Sequence, residues 1–132
     1  MLTILSLSKK SLKFRDFMQR GKNVKFGRER AQRQALYKSL ATALVDHGKI
    51  KTTSAKAKSL SVFTDKLITT AKKQNLAARR ELAKTFHPKI VKKLVDELAP
   101  RFSDRKGGYT RVIRLGQRRS DAAPMSLIEF TS

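Results

Sequence analysis

The sequence predicts an α+β protein in which about four helices pack on a small, mostly antiparallel three-stranded sheet, behind a basic, disordered N-terminal arm. Three observations carry this. Apolar residues recur at helical spacing from Leu36 to Leu98. After Gly108 the pattern changes to the two-residue alternation of strands, interrupted by a polar turn. The chain also carries 31 lysines and arginines against 10 acids, a formal net charge of +21 over 132 residues. Self-repulsion of that size disfavours a compact isolated domain and is relieved by a polyanion, so nucleic acid is the first partner to expect.

Residues 1–17 are serine-rich and basic, with Asp16 as the one acid. Their composition vaguely resembles an organellar presequence, but they read more simply as upstream translation or a disordered extension before a start at Met18. Residues 18–34 form the arm. Arg20, Lys22, Lys25, Arg28, Arg30 and Arg33 face only Glu29, and Val24 and Phe26 are almost the only apolar residues. Such a segment buries too little to offset its ordering entropy and is expected to order on RNA, with Gly21 and Gly27 allowing close approach to phosphates. Residues 35–132 are expected to form one domain.

The first helix is predicted from about Arg30 to His47, with Leu36, Leu40, Ala43 and Leu44 as its inward stripe and Gly48 as its stop. His47 falls on that stripe as a structural residue, since no other ligand type is spaced to join it on a metal. Lys49 to Thr53 reads as a short strand, after which Thr53 or Ser54 caps a second helix ending near Asn75. That helix turns Ala57, Leu60, Phe63, Leu67 and Ala71 inward, and Lys58, Val62, Lys66 and Lys73 outward. A shorter helix follows from Leu76 to Phe86, with Leu82 and Phe86 inward and Arg79 and Arg80 near its start. Pro88 then opens a fourth helix with inward Ile90, Val91, Leu94, Val95 and Leu98, and Pro100 marks its end. Lys92 with Asp96, and Lys93 with Glu97, are four apart and should pair along its outer face, making it the helix least directed at RNA. A basic loop from Pro100 to Gly108, a strand from Tyr109 to Leu115, a turn from Gly116 to Ala123 and a strand from Pro124 to Thr131 complete the chain. Leu127, Ile128 and Phe130 supply the apolar positions of the last strand.

Several chemistries are excluded. The chain has no cysteine, and no HExxH, GxxxxGK[ST] or GxGxxG arrangement. The adjacent acids Asp96 and Glu97 lie beside lysines that keep them ionised, and His87 marks a helix boundary. The expectation is a protein without enzymatic activity, cofactor, metal or small-molecule substrate. No stretch is long and apolar enough to span a bilayer, so no membrane partner is expected. The positive candidates are loop arginines beside glycines and aromatics: Arg101, Arg105, Lys106, Gly107, Gly108, Tyr109 and Arg111, then Arg118 and Arg119. Guanidiniums on a rigid hairpin suit phosphates and 2′-hydroxyls, and Tyr109 is equally suited to stack on a base or to cover the core.

TTSAKAK (Thr52 to Lys58), KLITTAKK (Lys66 to Lys73), PRFSDRKGGYTRV (Pro100 to Val112) and DAAPMSLIEF (Asp121 to Phe130) follow one another in an order and spacing that resemble the bacterial large-subunit ribosomal protein 17 family. The resemblance runs from about Met18 to the C-terminus. It implies an α+β structural protein bound to large-subunit ribosomal RNA and neighbouring large-subunit proteins, on the solvent side near the polypeptide exit, in cytoplasmic ribosomes or, if residues 1–17 are a presequence, organellar ones. It also implies RNA contacts by the arm, by Thr52, Thr53, Lys56 and Lys58, by Arg79 and Arg80, and by the segment from Arg101 to Arg111. Gln19 and Arg20 depart from the family's common Met-Arg-His start, and Ser120 stands where glycine is frequent. A free-standing DNA-binding nucleoid protein is the alternative, but no helix presents the Asn, Gln and Arg set that reads base edges.

Overall fold

The structure is a computed structural model that describes residues 24–132. The segment 1–17, with Arg20 and Lys22 of the arm, lies outside the described residues. In chain order the elements are α1 (Arg30–His47), β1 (Lys49–Thr53), α2 (Ser54–Ala71), α3 (Leu76–Ala83), α4, β2 (Thr110–Gln117) and β3 (Pro124–Phe130). Helix α4 comprises an α-helical start (Pro88–Lys92), a π-helical stretch (Lys93–Leu98) and a last turn (Ala99–Arg101). The sheet order is β1-β3-β2, with both pairings antiparallel. The expected α+β architecture of four helices and three strands is therefore present.

One core cluster draws on all four helices and on β3, with Ile50 of β1 and Val112 of β2 packed partly buried against it. The sheet lays one face on α2. Along β3, Ser126, Ile128 and Phe130 alternate inward, and Ile128 is paired with Ile50 on one side and Val112 on the other. Leu127 points the other way, because a two-residue period cannot place 127 and 128 on one side. Ser126 is fully buried and shares a 2.6 Å hydrogen bond with the Ser54 hydroxyl. Thr53 does hold the N-cap position of α2, but its side chain makes no capping bond.

The inward face of α1 is rotated from the expected stripe. Arg33, Tyr37, Ala41, Leu44 and Val45 are its buried residues, while Leu36, Leu40 and Ala43 are half-buried and His47 is exposed. Tyr37 sets this rotation. Its ring stacks on Phe63 at 5.4 Å, and Phe26 meets it edge-on at 6.3 Å, so the aromatic area outweighs the aliphatic stripe. The arm's end is thus attached: Phe26 packs against the core and helix begins at Arg30. At the other end Gly48, at φ 79°, returns its N–H to the Leu44 carbonyl at 2.8 Å, the left-handed cap that leads straight into β1.

Helix α2 stops at Ala71 rather than near Asn75, because Asn75 instead caps α3, its side chain accepting from the Ala78 N–H at 2.8 Å. Helix α3 ends at Ala83, and a turn bond from the Phe86 N–H to the Leu82 carbonyl brings Phe86 into the core. Helix α4 buries all five expected residues, Ile90, Val91, Leu94, Val95 and Leu98. Its middle is wider than expected. Pro100 has no N–H to offer and its ring crowds the carbonyl four residues back, and the π turns stand just before it, with the Ala99 N–H reaching the Leu94 carbonyl. In the hairpin, β2 runs two residues further than expected, through a bulge at Gly116 (φ 92°), which shortens the turn to residues 118–123.

Asp65, half-buried on α2, accepts the Tyr109 N–H at 3.3 Å and so ties α2 to the start of β2. Burial raises its carboxyl above the ordinary 3.8, an effect the Tyr109 bond partly offsets. Such a carboxyl holds its proton more tightly folded than unfolded, so ionised Asp65 opposes folding, and the penalty disappears as pH falls below 3.8. Asp65→Asn keeps an acceptor for the N–H. It is expected to raise the urea midpoint at neutral pH and to match the unsubstituted protein near about pH 3. Leu94, with no exposed surface, should lose about 2–5 kcal/mol of stability on replacement by alanine, read from urea unfolding; an unchanged midpoint would contradict its place in the core.

Candidate nucleic-acid interface

The cations divide into those held by the fold and those left to solvent. Near the chain start Lys25, Arg28 and Arg30 are exposed. Arg33 differs from the surface ligand expected of the arm: it is 8% exposed on the inner face of α1, and its Nη1 donates to the Arg28 carbonyl at 3.2 Å. It fixes the chain before α1. Thr52, Thr53 and Lys56 are half-buried around the β1–α2 junction, with Lys58 exposed one turn on.

The segment from Arg101 to Tyr109 is the most heavily tied of the basic stretches. Arg101 lies over the Phe102 ring at 5.4 Å and donates to the Thr131 carbonyl at 3.0 Å, while the Arg105 guanidinium donates to the Thr131 hydroxyl. Lys106, Gly107 and Gly108 stay exposed at the tip, where Gly108 has φ 60°, a left-handed value that favours glycine. Of the two places open to Tyr109, the fold gives it the core: it is 1% exposed, packs on Phe102 at 5.3 Å and donates its hydroxyl proton to the Arg105 carbonyl at 3.1 Å.

Lys72, given no role from sequence, completes this arrangement. Its Nζ donates to the Arg105 carbonyl and to the Tyr109 hydroxyl at 3.2 Å, and sits 5.3 Å from the centre of the tyrosine ring. Thr131 was missed as well. Both sit inside or beside recognisable motifs, yet nothing in the spacing of Lys72, just past α2, and Thr131, next to last in the chain, brings them to one loop.

Elsewhere acids capture part of the charge. Arg111 donates through Nε and Nη2 to one Glu129 oxygen at 3.1 and 2.7 Å, and Arg118 lies 3.4 Å from Asp121 across the hairpin turn. Arg119 and Arg114 remain exposed at that end of the hairpin. Asp46, at the end of α1, is 2.8 Å from Lys93 and 3.7 Å from Lys89. The Lys93 hydrogen bond, reinforced by the charges of Lys89 and Lys93, holds its carboxyl below the usual value. Arg79 pairs with Asp96 at 2.6 Å, and Arg80 beside it is exposed. The expected Lys92–Asp96 and Lys93–Glu97 pairs are absent, since a π turn no longer places residues four apart above one another.

Among the described residues no group of histidines and acids is arranged to hold a metal ion, and no helix is long and apolar enough to cross a membrane. The arrangement supplies fixed guanidinium and ammonium groups on loops braced from within, which suits binding of phosphates and not bond-making chemistry.

Known proteins resemble this chain over most of its length. Residues 36–131 match the family model described as ribosomal protein L17. The chain is 48% identical over 107 residues to the large ribosomal subunit protein bL17 of Symbiobacterium thermophilum, covering 80% of this chain and 95% of that one. It is 48% identical over 114 residues to the protein of the same name from Persephonella marina (84% and 92% covered), and 49% over 109 residues to that of Nitratidesulfovibrio vulgaris (81% and 82%). With most of its length matched, α1 through β3, this chain belongs to the ribosomal protein L17 family, a family of ribosomal proteins and not of enzymes.

Proposed function

We propose that this protein is a structural constituent of the large ribosomal subunit that binds and braces large-subunit ribosomal RNA, on the solvent side near the polypeptide exit, beside neighbouring large-subunit proteins. The observation that carries the reading is the unbalanced charge of a chain similar over most of its length to large-subunit proteins: the acids in salt bridges are taken up internally, at Asp46, Asp96, Asp121 and Glu129, while Lys106, Arg114 and Arg119 face solvent. Cations at the chain start, the loop tip and the hairpin end lie on separate elements of one core, so a single molecule can engage more than one RNA segment. Thr131 and Lys72 hold the loop before RNA arrives, which lowers the entropy lost on binding.

Binding of this kind releases counterions, so affinity for large-subunit RNA should fall linearly in log K against log salt. Lys106→Ala, at an exposed tip position, is expected to reduce that slope by about one and to leave the far-ultraviolet circular dichroism unchanged. A salt-independent affinity would contradict binding through phosphates, and equal affinity for duplex DNA of the same length would favour a general nucleic-acid-binding role instead.

A further inference from the structure

Helices α3 and α4 flank a shallow cleft of about 420 Å³, widely open to solvent, lined by apolar Ala83, Pro88 and Val91 and by Arg79, Arg80, Lys92 and Asp96. We infer that this cleft receives a single unstacked nucleotide of the ribosomal RNA, its base against the apolar lining and its phosphates on Arg80 and Lys92. The inference rests on the RNA-binding reading above and adds a specific subsite to it.

The geometry points there for three reasons. The volume lies at the small end of the roughly 300–1,000 Å³ typical of ligand sites, large enough for a nucleotide rather than a duplex. The π stretch of α4 redirects Asp96 onto Arg79 at 2.6 Å, leaving Lys92 without the acid that an ordinary helix would give it. Arg80 and Lys92 have no ion-pair partner among the described residues, yet both line this cleft. An apolar surface flanked by two unneutralised cations matches a nucleotide, which joins a flat apolar base to an anionic backbone. Sequence-specific RNA recognition chiefly targets such splayed-out bases, with arginine planes among the surfaces they stack on. Arg79, pinned by Asp96, lines the same cleft.

The test uses the full chain in large subunits assembled with and without it, probed by 2′-hydroxyl acylation and dimethyl sulfate. Ala83→Trp fills the cleft without changing charge, and the double variant Arg80→Gln with Lys92→Gln removes its cations while leaving its shape. Ala83 and both cations are exposed, and thermal unfolding of each variant checks its fold. An unpaired nucleotide shielded by the unsubstituted protein should, in both variants, regain the reactivity it has in subunits lacking the protein, while protections elsewhere persist. If Ala83→Trp folds and alters no protection, the cleft is empty in the subunit and the inference fails. If it does not fold, the double variant decides in the same way. Should the unsubstituted chain shield no nucleotide at all, the RNA-binding reading itself fails, and this inference with it.

Discussion

Tyr109 joins three parts of the chain that are distant in sequence. Its N–H is held by Asp65 of α2, its carbonyl by the Thr131 N–H at 3.0 Å and hydroxyl at 3.2 Å, and its hydroxyl by Lys72 and the Arg105 carbonyl. The ring lies against Phe102, which in turn packs on Phe130 at 6.1 Å. Loop, sheet and helix are therefore one body at this point. Ordering a free loop costs about 1–2 kcal/mol per residue, and a basic loop that had to be ordered by RNA would lose much of its electrostatic gain to that term. Here the loop is ordered by an aromatic core residue.

The same logic governs the charge. A compact body with this net charge repels itself, and the apolar cluster of helices and sheet must hold against that repulsion until an anion arrives. The acids sit where they relieve it locally. Asp46 joins the end of α1 to α4, Asp96 joins α4 to α3, and Glu129 joins β3 to β2. None of these pairs crosses to the loop tip, which keeps its positive potential for a partner. Exposed pairs of this type add little stability each, so their value lies in which cations they leave unopposed.

Much of this was legible in the sequence. The inward face of α4 is a clean amphipathic pattern and is buried as the pattern says. The family was also legible, because four ordered motifs are more specific than composition, and the comparison with known proteins agrees. What escaped has physical causes. In α1, Tyr37 and Phe26 outweigh leucines that match the helical period better, so the face turns. In α4, spacing rules assume 3.6 residues per turn, and the π stretch invalidates the pairs built on them. Arg33 and Tyr109 have the composition of ligands and the burial of core, a difference set only by long-range packing. Lys72 and Thr131 acquire their roles from a loop 33 and 26 residues away, a distance over which local pattern says nothing.

The central claim is membership of the large ribosomal subunit through bound RNA. It is tested most directly by sedimenting a native cell extract through a sucrose gradient at moderate salt and quantifying this protein in every fraction by mass spectrometry. The account predicts one copy per large subunit, comigrating with large-subunit RNA and released as salt is raised. Recovery at the top of the gradient at moderate salt, or with DNA, would contradict it.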